Sequence, residues 1–468
     1  MHCIHFGINT MKNNFGKIGI LFLMLTAFSS VGQAKKWTLQ ECVEYALKNN
    51  ISVLQTDLEN KTALIDKKTA FGNFLPNINA NASHSWNIGL NQNITTGLLE
   101  NQTTQFTSAG LSANVTIYNG LQNQYRLRKA NLSILAAQYQ LTKIKDDISL
   151  NVANAYLQIL FNKENLKVQK ELLSNDEKQF TRTNELVSAG VVPRGDLLDV
   201  KATVATDKQK VVAAENSLFI SKLSLAQLLQ LQDFENFDIA DANYEPKESA
   251  TMLEKPQTII DKAKQDRIEI KIAKTNLELA QKDISIAKSA FQPTVSGFYN
   301  FNTRASYSDR FVGLDANNNP ILGNPKPLFD QFSDNKGQSF GVQISVPIFN
   351  GFSVKNNVER SKVAFERTEI ASKQTNLDLE RNVYTAITDA KGAINAYEAS
   401  VTSLEARSEA LNYAKEKYAV GLMNSFDYNQ AQTLYANAQS EVLRTKFDAV
   451  FKVKVVEFYF GIPIMQTN

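Results

Sequence analysis

Residues 121–189 read LQNQYRLRKANLSILAAQYQLTKIKDDISLNVANAYLQILFNKENLKVQKELLSNDEKQFTRTNELVSA, with neither glycine nor proline. Because those two residues are the strongest interrupters of a helix, their absence predicts one unbroken helix of about 100 Å. Its apolar side chains recur in steps of seven: Leu141, Ile148 and Ala155, then Ile159, Leu166, Leu173, Phe180 and Val187. This spacing is typical of a coiled coil and differs from the all-round apolarity of a membrane span.

A second rod follows 231 residues later. Residues 352–420 lack proline and contain one glycine, Gly392, and their apolar side chains repeat the same heptad pattern. The same offset places Gly190 on Gly421 and Asp196 on Asp427. The chain is therefore predicted to be an internal duplication whose unit is about half its length.

Each unit is predicted to contain a helix, a hairpin, a long helix, a turn and a helix. We divide the chain into a signal peptide (1–34), a first repeat (35–231), an irregular connector (232–256) and a second repeat (257–468). Strands are expected at about 77–89 and 109–119, and at about 294–303 and 338–349, beside long helices at 121–189 and 352–420. Helices over 37–72 and 257–289 are expected to be continuous and to end before a proline.

The N-terminus has the pattern of an export signal, starting at Met1 or Met11, with two lysines before an apolar run at 18–28. Without residues 1–34 the chain keeps 48 of its 50 basic residues against 47 acidic ones, so we expect no nucleic-acid partner. Cys42 and His84 are then the only cysteine and histidine, which excludes a histidine metal cluster and an internal disulfide. No glycine-rich nucleotide loop is present, so neither an enzyme nor a cofactor is predicted.

The four predicted strands alternate apolar with small polar side chains. This pattern fits either a membrane barrel or a soluble sandwich with one buried face; the export signal, the rods and the lack of long apolar segments favour the barrel. His84 falls on the lipid-facing side, where a strand contact near the rim is expected. Four strands cannot close a barrel, so several copies must share one of eight, twelve or sixteen strands.

Short motifs add to this pattern: Trp37-Thr38-Leu39, Phe74-Leu75-Pro76, Phe291-Gln292-Pro293, Val346-Pro347-Ile348-Phe349-Asn350-Gly351, and the turn from Tyr418-Ala419-Val420-Gly421 to Asp427. Their order resembles that of the TolC-like outer membrane factors over essentially the whole mature chain. The resemblance implies a mostly α-helical protein with a membrane β-barrel part: a homotrimer with a twelve-stranded barrel and a long α-helical periplasmic barrel.

The resemblance also implies a function. Members are outer membrane exit ducts of tripartite efflux pumps or type I secretion systems, and they act with a periplasmic adaptor protein, an inner-membrane pump of the RND or ABC type, and outer membrane lipid. The alternative is a non-conducting coiled-coil tether of the envelope, which gains little from a duplicated strand pair. An exported hydrolase is a third and weaker hypothesis, since one histidine remains. The cargo and the pump class stay open.

Three side chains are assigned to a periplasmic gate by the resemblance. Tyr418 matches the gating tyrosine of the family, Asp427 an aspartate of the constriction, and Asp196 the aspartate of the neighbouring outer turn. Simpler roles compete: both acids can cap a helix N-terminus, and Tyr418 can be a core residue of the heptad series.

The two turns carry the remaining predicted tip residues. Gly190 and Gly421 are expected to supply backbone freedom where the helices reverse. Met423 stands where some relatives have an arginine that locks the tip, and Gln430 replaces a second aspartate. These two departures put the closing contacts and a cation-selective ring at Asp427 in doubt.

Overall fold

The computed structural model describes residues 36–92, 97–242, 244–246, 249–318 and 320–463. The predicted signal peptide and both candidate start methionines lie outside the described residues. The elements of the first half are β1 (Lys36–Trp37), α1 (Leu39–Asn49), α2 (Ile51–Gly72), β2 (Asn77–Gln92), β3 (Leu99–Asn119), α3 (Gln122–Ser188) and α4 (Arg194–Leu229). Those that follow are β4 (Asp238–Ile239), α5 (Pro256–Asp266), α6 (Ile268–Ser289), β5 (Thr294–Ser306), β6 (Arg310–Leu314), β7 (Pro320–Gly323), α7 (Leu328–Asp334), β8 (Gly337–Ser345), α8 (Ser353–Ala419) and α9 (Ser425–Tyr459).

The long helices α3 and α8 are copies of each other. Each has 67 residues, and each is one residue shorter at both ends than the sequence predicts. Each begins directly after a non-glycine residue in the left-handed conformation, Leu121 with φ 65° and Phe352 with φ 63°. The duplication therefore extends to details of backbone conformation.

The expectation of one continuous helix before each hairpin is wrong. The first helix breaks at Asn50, whose side-chain oxygen accepts from the Ser52 N–H at 2.9 Å and whose amide donates to the Leu228 carbonyl at 2.9 Å. The second breaks at Arg267, which is buried, bonds Glu269 and lies over an aromatic ring of α9. Both residues adopt extended backbone with ψ near 131–136°, and they occupy equivalent places in the two halves. A polar side chain with partners on other elements here overrides helix propensity.

The hairpins form one antiparallel sheet in the order β2-β3-β5-β8. Its strand ends differ from those predicted. The strand expected at 109–119 begins at Leu99, because β3 stays paired with β2 as far as Gln92 opposite Leu99. The strand expected at 77–89 runs on to Gln92, and the one expected at 294–303 runs on to Ser306. The strand expected at 338–349 ends at Ser345, just before a segment whose Pro347 has no N–H to donate.

The loop of the second hairpin has structure of its own. It contains the β6–β7 hairpin and the short helix α7, which the sequence did not predict. Gln331 of α7 accepts from the Ser306 N–H and donates to its carbonyl, both at 3.0 Å. In the first hairpin, His84 makes the expected strand contact, with Nδ1 2.7 Å from Thr107 Oγ1.

The core lies at mid-height of the two long helices. In the first half, Tyr156 and Ile159 of α3 are buried with side chains of α1, α4 and β4. In the second half, Val383 of α8 is buried with Ile259 and Ile260 of α5 and with α9. Each fully buried aliphatic or aromatic side chain contributes about 1.5–3 kcal/mol, so these two clusters anchor the rods.

The connector is more regular than predicted. Within 232–256, β4 pairs in parallel with β1, and Ala250–Leu253 forms a 3₁₀ turn. The Tyr156 hydroxyl donates to the Ala240 carbonyl at 2.9 Å, and burial raises the pKa of that phenol. The connector thus adds a short strand to the N-terminus of the first half.

No helix in the described part of the chain has the length and apolarity needed to cross a lipid bilayer.

Candidate functional site

The candidate site is the end of the long helices at which the chain reverses direction, from α3 into α4 and from α8 into α9. After α3, the Gly190 N–H bonds the Val187 carbonyl at 3.0 Å and the Val191 N–H bonds the Leu186 carbonyl at 2.9 Å. This pair of bonds is a Schellman motif, which places a left-handed residue just past the helix. Gly190 fills that position with φ +70°.

The turn after α8 has the same geometry. The Gly421 N–H bonds the Tyr418 carbonyl at 3.2 Å, and the Leu422 N–H bonds the Lys417 carbonyl at 2.9 Å. Gly421 has φ +75°, and a Cβ at this position would have no neighbour within 4 Å. The glycine is therefore required by its backbone angle and not by close packing.

The predicted acids do not cap their helices. At α9 the cap is Asn424, whose side-chain oxygen accepts from the Asp427 N–H at 2.8 Å. At α4 the cap position is Pro193, with no side-chain cap bond. Asp196 and Asp427 lie in the first turns, where a carboxylate interacts favourably with the helix dipole. Asp427 is exposed and so remains available to line a constriction.

Tyr418 joins three helices at this end. Its hydroxyl accepts from Gln179 Nε2 of α3 at 2.7 Å. Its ring stacks on Tyr428 of α9, with centroids 4.8 Å apart and an interplanar angle of 7°. Met423 is half-buried in the turn and Gln430 is exposed on α9. Tyr418 thus connects the α8–α9 pair to the α3–α4 pair.

Sequence reasoning missed a buried polar cluster beside Tyr418. Asp176 of α3 and Asp207 of α4 are each only 2 % exposed, and their carboxyl groups face each other. Lys210 Nζ lies 3.0 Å from Asp207 Oδ1, and the Gln432 side chain of α9 faces the Asp176 carboxyl and lowers its pKa. Desolvation, followed by the neighbouring Asp207, raises the pKa of Asp176 to about 8.

A signal for this cluster was present in the heptads. The first series, Leu141, Ile148 and Ala155, continues in steps of seven through Asn162, Gln169, Asp176 and Thr183. Three of these four polar residues are buried. Polar side chains at seam positions specify register and partner, so the change from apolar to polar along one stripe marks where α3 faces polar groups of α4 and α9.

A family model described as "Outer membrane efflux protein" matches residues 42–230 and 259–449, which includes both halves and most of the chain. The chain belongs to the outer membrane efflux protein family. This efflux protein is accordingly an outer membrane protein, and its two matched segments correspond to the two copies of the duplicated unit.

Individual relatives are distant. This efflux protein is 22% identical over 424 residues to the outer membrane protein TolC of Vibrio cholerae, covering 89% of this chain and 88% of that one. Its fold is similar to that of the CmeC outer membrane channel of Campylobacter jejuni, with TM-score 0.74, 18% identity and coverage of 98% and 95%. It is also similar to the open state of the MtrE outer membrane channel of Neisseria gonorrhoeae, with TM-score 0.70, 19% identity and coverage of 92% and 91%. These likenesses show the TolC-like fold.

Within the described ranges, no group of three or more His, Cys, Asp and Glu side chains is placed to hold a metal ion.

Proposed function

We propose that three copies of this chain form the outer membrane exit duct of a tripartite efflux pump or a type I secretion system. Substrate would pass through it passively from an inner-membrane pump of the RND or ABC type to the exterior. The observation that carries this proposal is a four-stranded sheet, open at both edges in a single chain, attached to helices of 67 residues.

The sheet supports the proposal through its edges and one face. β2 and β8 are the outer strands, and within the described residues of one chain neither has a neighbour on its outer side. Their apolar side chains are open to the surroundings; Ile88 is 82% and Phe340 81% exposed. Unpaired edges and an apolar face are costly in water, but three sheets joined edge to edge satisfy both in a lipid bilayer.

The helices support it through their lengths. At 1.5 Å per residue each long helix extends about 100 Å from the sheet, so the reversing turns lie far from the membrane. There the Tyr418–Gln179 bond ties α8 to α3. A periplasmic adaptor that engages this end would have to break such contacts to widen the duct. The sequence contains no phosphate-binding loop, so the proposal assigns the energy source to the pump.

Conductance and mass test the proposal. Full-length protein purified in detergent should have the mass of three chains and should give discrete current steps in a planar lipid bilayer. A protein that stays monomeric would refute the shared barrel. A folded trimer that conducts nothing, even in variants with weakened tip contacts, would support the envelope tether.

A further inference from the structure

The Asp176–Asp207 cluster has more acceptor atoms than donors. Asp176 Oδ1, Asp207 Oδ2 and Gln432 Oε1 are buried, and none has a hydrogen-bond partner in the described part of the chain. Gln432 is itself only 8% exposed and its amide faces Asp176. A buried acceptor without a donor destabilises the fold, so these three oxygens need a donor.

A proton on the carboxyl pair supplies that donor. Two carboxylates in contact cannot both ionise at low cost, whereas one shared proton makes an O–H donor and leaves a single negative charge. Lys210, 3.0 Å from Asp207, balances that remaining charge. The cluster is then neutral overall, which is the arrangement that burial favours.

We infer that Asp176 and Asp207 bind one proton between them and that this proton holds α3 and α4 against α9. Release of the proton to solvent leaves two adjacent buried carboxylates beside one lysine. Their repulsion separates α3 from α4 and loosens the contact with Gln432 of α9. The ligand of this site is a proton, and the site sits about 20 Å from the helix-reversing end.

The cluster also affects Tyr428 of α9. The pair and the groups around it come from four helices: Asp176 and Arg182 of α3, Asp207 and Lys210 of α4, Tyr418 of α8, and Tyr428 and Gln432 of α9. Burial raises the pKa of Tyr428, and Asp176 and Tyr418 add to that rise while Arg182 opposes it. A neutral Tyr428 keeps its stack on Tyr418, so the proton site is next to the contact that closes the end.

The expected pH dependence follows from the raised pKa of Asp176, about 8 against an ordinary value of 3.8. Between about pH 4 and pH 8 the folded cluster binds more protons than an opened, solvated one. The cluster therefore stabilises the fold most at low pH, and this contribution is lost as the pH rises toward 8.

Hydrogen exchange on full-length protein in detergent tests the inference without using conductance. After correction for intrinsic exchange rates, the opening equilibrium of the segments around Asp176 and Gln432 should rise more than about tenfold between pH 6 and pH 8. Asp176→Asn keeps a donor but cannot titrate, so its opening should change less than about twofold over this range. Glu177→Gln removes a charge from the adjacent exposed residue together with its ion pair to Lys208 of α4, and its opening should vary with pH as that of the unchanged protein does.

Each result decides the matter. Exchange that does not vary with pH in the unchanged protein, or that varies equally in Asp176→Asn, overturns the proton site. If Asp176→Asn does not fold, infrared spectra of the unchanged protein decide instead. A carbonyl band of a protonated carboxylic acid should persist at neutral pH and vanish above about pH 8; its absence at neutral pH overturns the inference.

A conductance measurement extends the test and rests on the proposed function. Mean current should increase with pH in the unchanged protein and stay constant in Asp176→Asn. If no variant conducts but hydrogen exchange varies with pH as expected, the proposed duct function is refuted and the proton site is supported. If the channel conducts and hydrogen exchange does not vary with pH, the proton site is refuted and the duct function is supported.

Discussion

Replacing Gly421 with alanine isolates the backbone cost of the turn between α8 and α9. Gly421 has φ +75°, and a Cβ there meets nothing within 4 Å, so the substitution adds no clash. An L-residue in the left-handed conformation is less stable than glycine by about 1 kcal/mol. Gly421→Ala should therefore destabilise the turn by about that amount.

A matched control exists in the same helix. Gly392 lies inside α8, where a Cβ also has open space within 4 Å, and its backbone is not left-handed. Alanine is favoured over glycine in a helix interior by about 1 kcal/mol, so Gly392→Ala should stabilise. The same chemical change thus has opposite signs at two positions of one element.

Hydrogen exchange of residues 417–422 measures the effect locally. A change of about 1 kcal/mol alters an opening equilibrium about fivefold, so exchange of the amides that close this turn should accelerate about fivefold in Gly421→Ala. Gly190→Ala should do the same at the other turn, since it has φ +70°. Unchanged or slower exchange in Gly421→Ala would contradict the reasoning, as would destabilisation by Gly392→Ala of equal size.

Three further predictions test other contacts. Asn50→Ala removes the cap of α2 and should lower stability by about 1–2 kcal/mol in chemical denaturation; an unchanged midpoint would mean that the helix break needs no side chain. Tyr418→Phe keeps the ring stack but loses the bond from Gln179, so it should weaken the tip by about 1 kcal/mol and raise mean conductance, and Gln179→Leu should match it. Asp427→Asn should reduce the cation preference of single channels more than Asp196→Asn does; equal selectivity in both would assign Asp427 to the helix dipole alone.

The long helices were predictable because their evidence is local. An interval bounded by glycines, without proline and with at most one internal glycine, repeated at one offset, leaves the chain few alternatives to helix. The turns were predictable for a similar reason, since Gly190 and Gly421 stand where a Schellman motif needs a left-handed residue. Proline likewise marked the start of each hairpin.

The features that were missed depend on contacts distant in sequence. Nothing beside Asn50 shows that its amide reaches Leu228, 178 residues away, so the break between α1 and α2 was not visible. The same holds for Arg267, whose place is set by an aromatic ring of α9. Asp176 and Asp207 look like solvated charges of a rod until the packing of α3 on α4 buries them. The sequence indicated that cluster only through the change from apolar to polar residues along one heptad series.

The equal lengths of α3 and α8 restrict how the height of this protein can change. Each long helix is followed by a shorter antiparallel one. Adding two turns to α3 alone would therefore place the α3–α4 turn beyond the α8–α9 turn and would misalign the polar contacts between the helices. Insertions that preserve the fold must therefore be whole heptads, placed at the same level in all four helices α3, α4, α8 and α9.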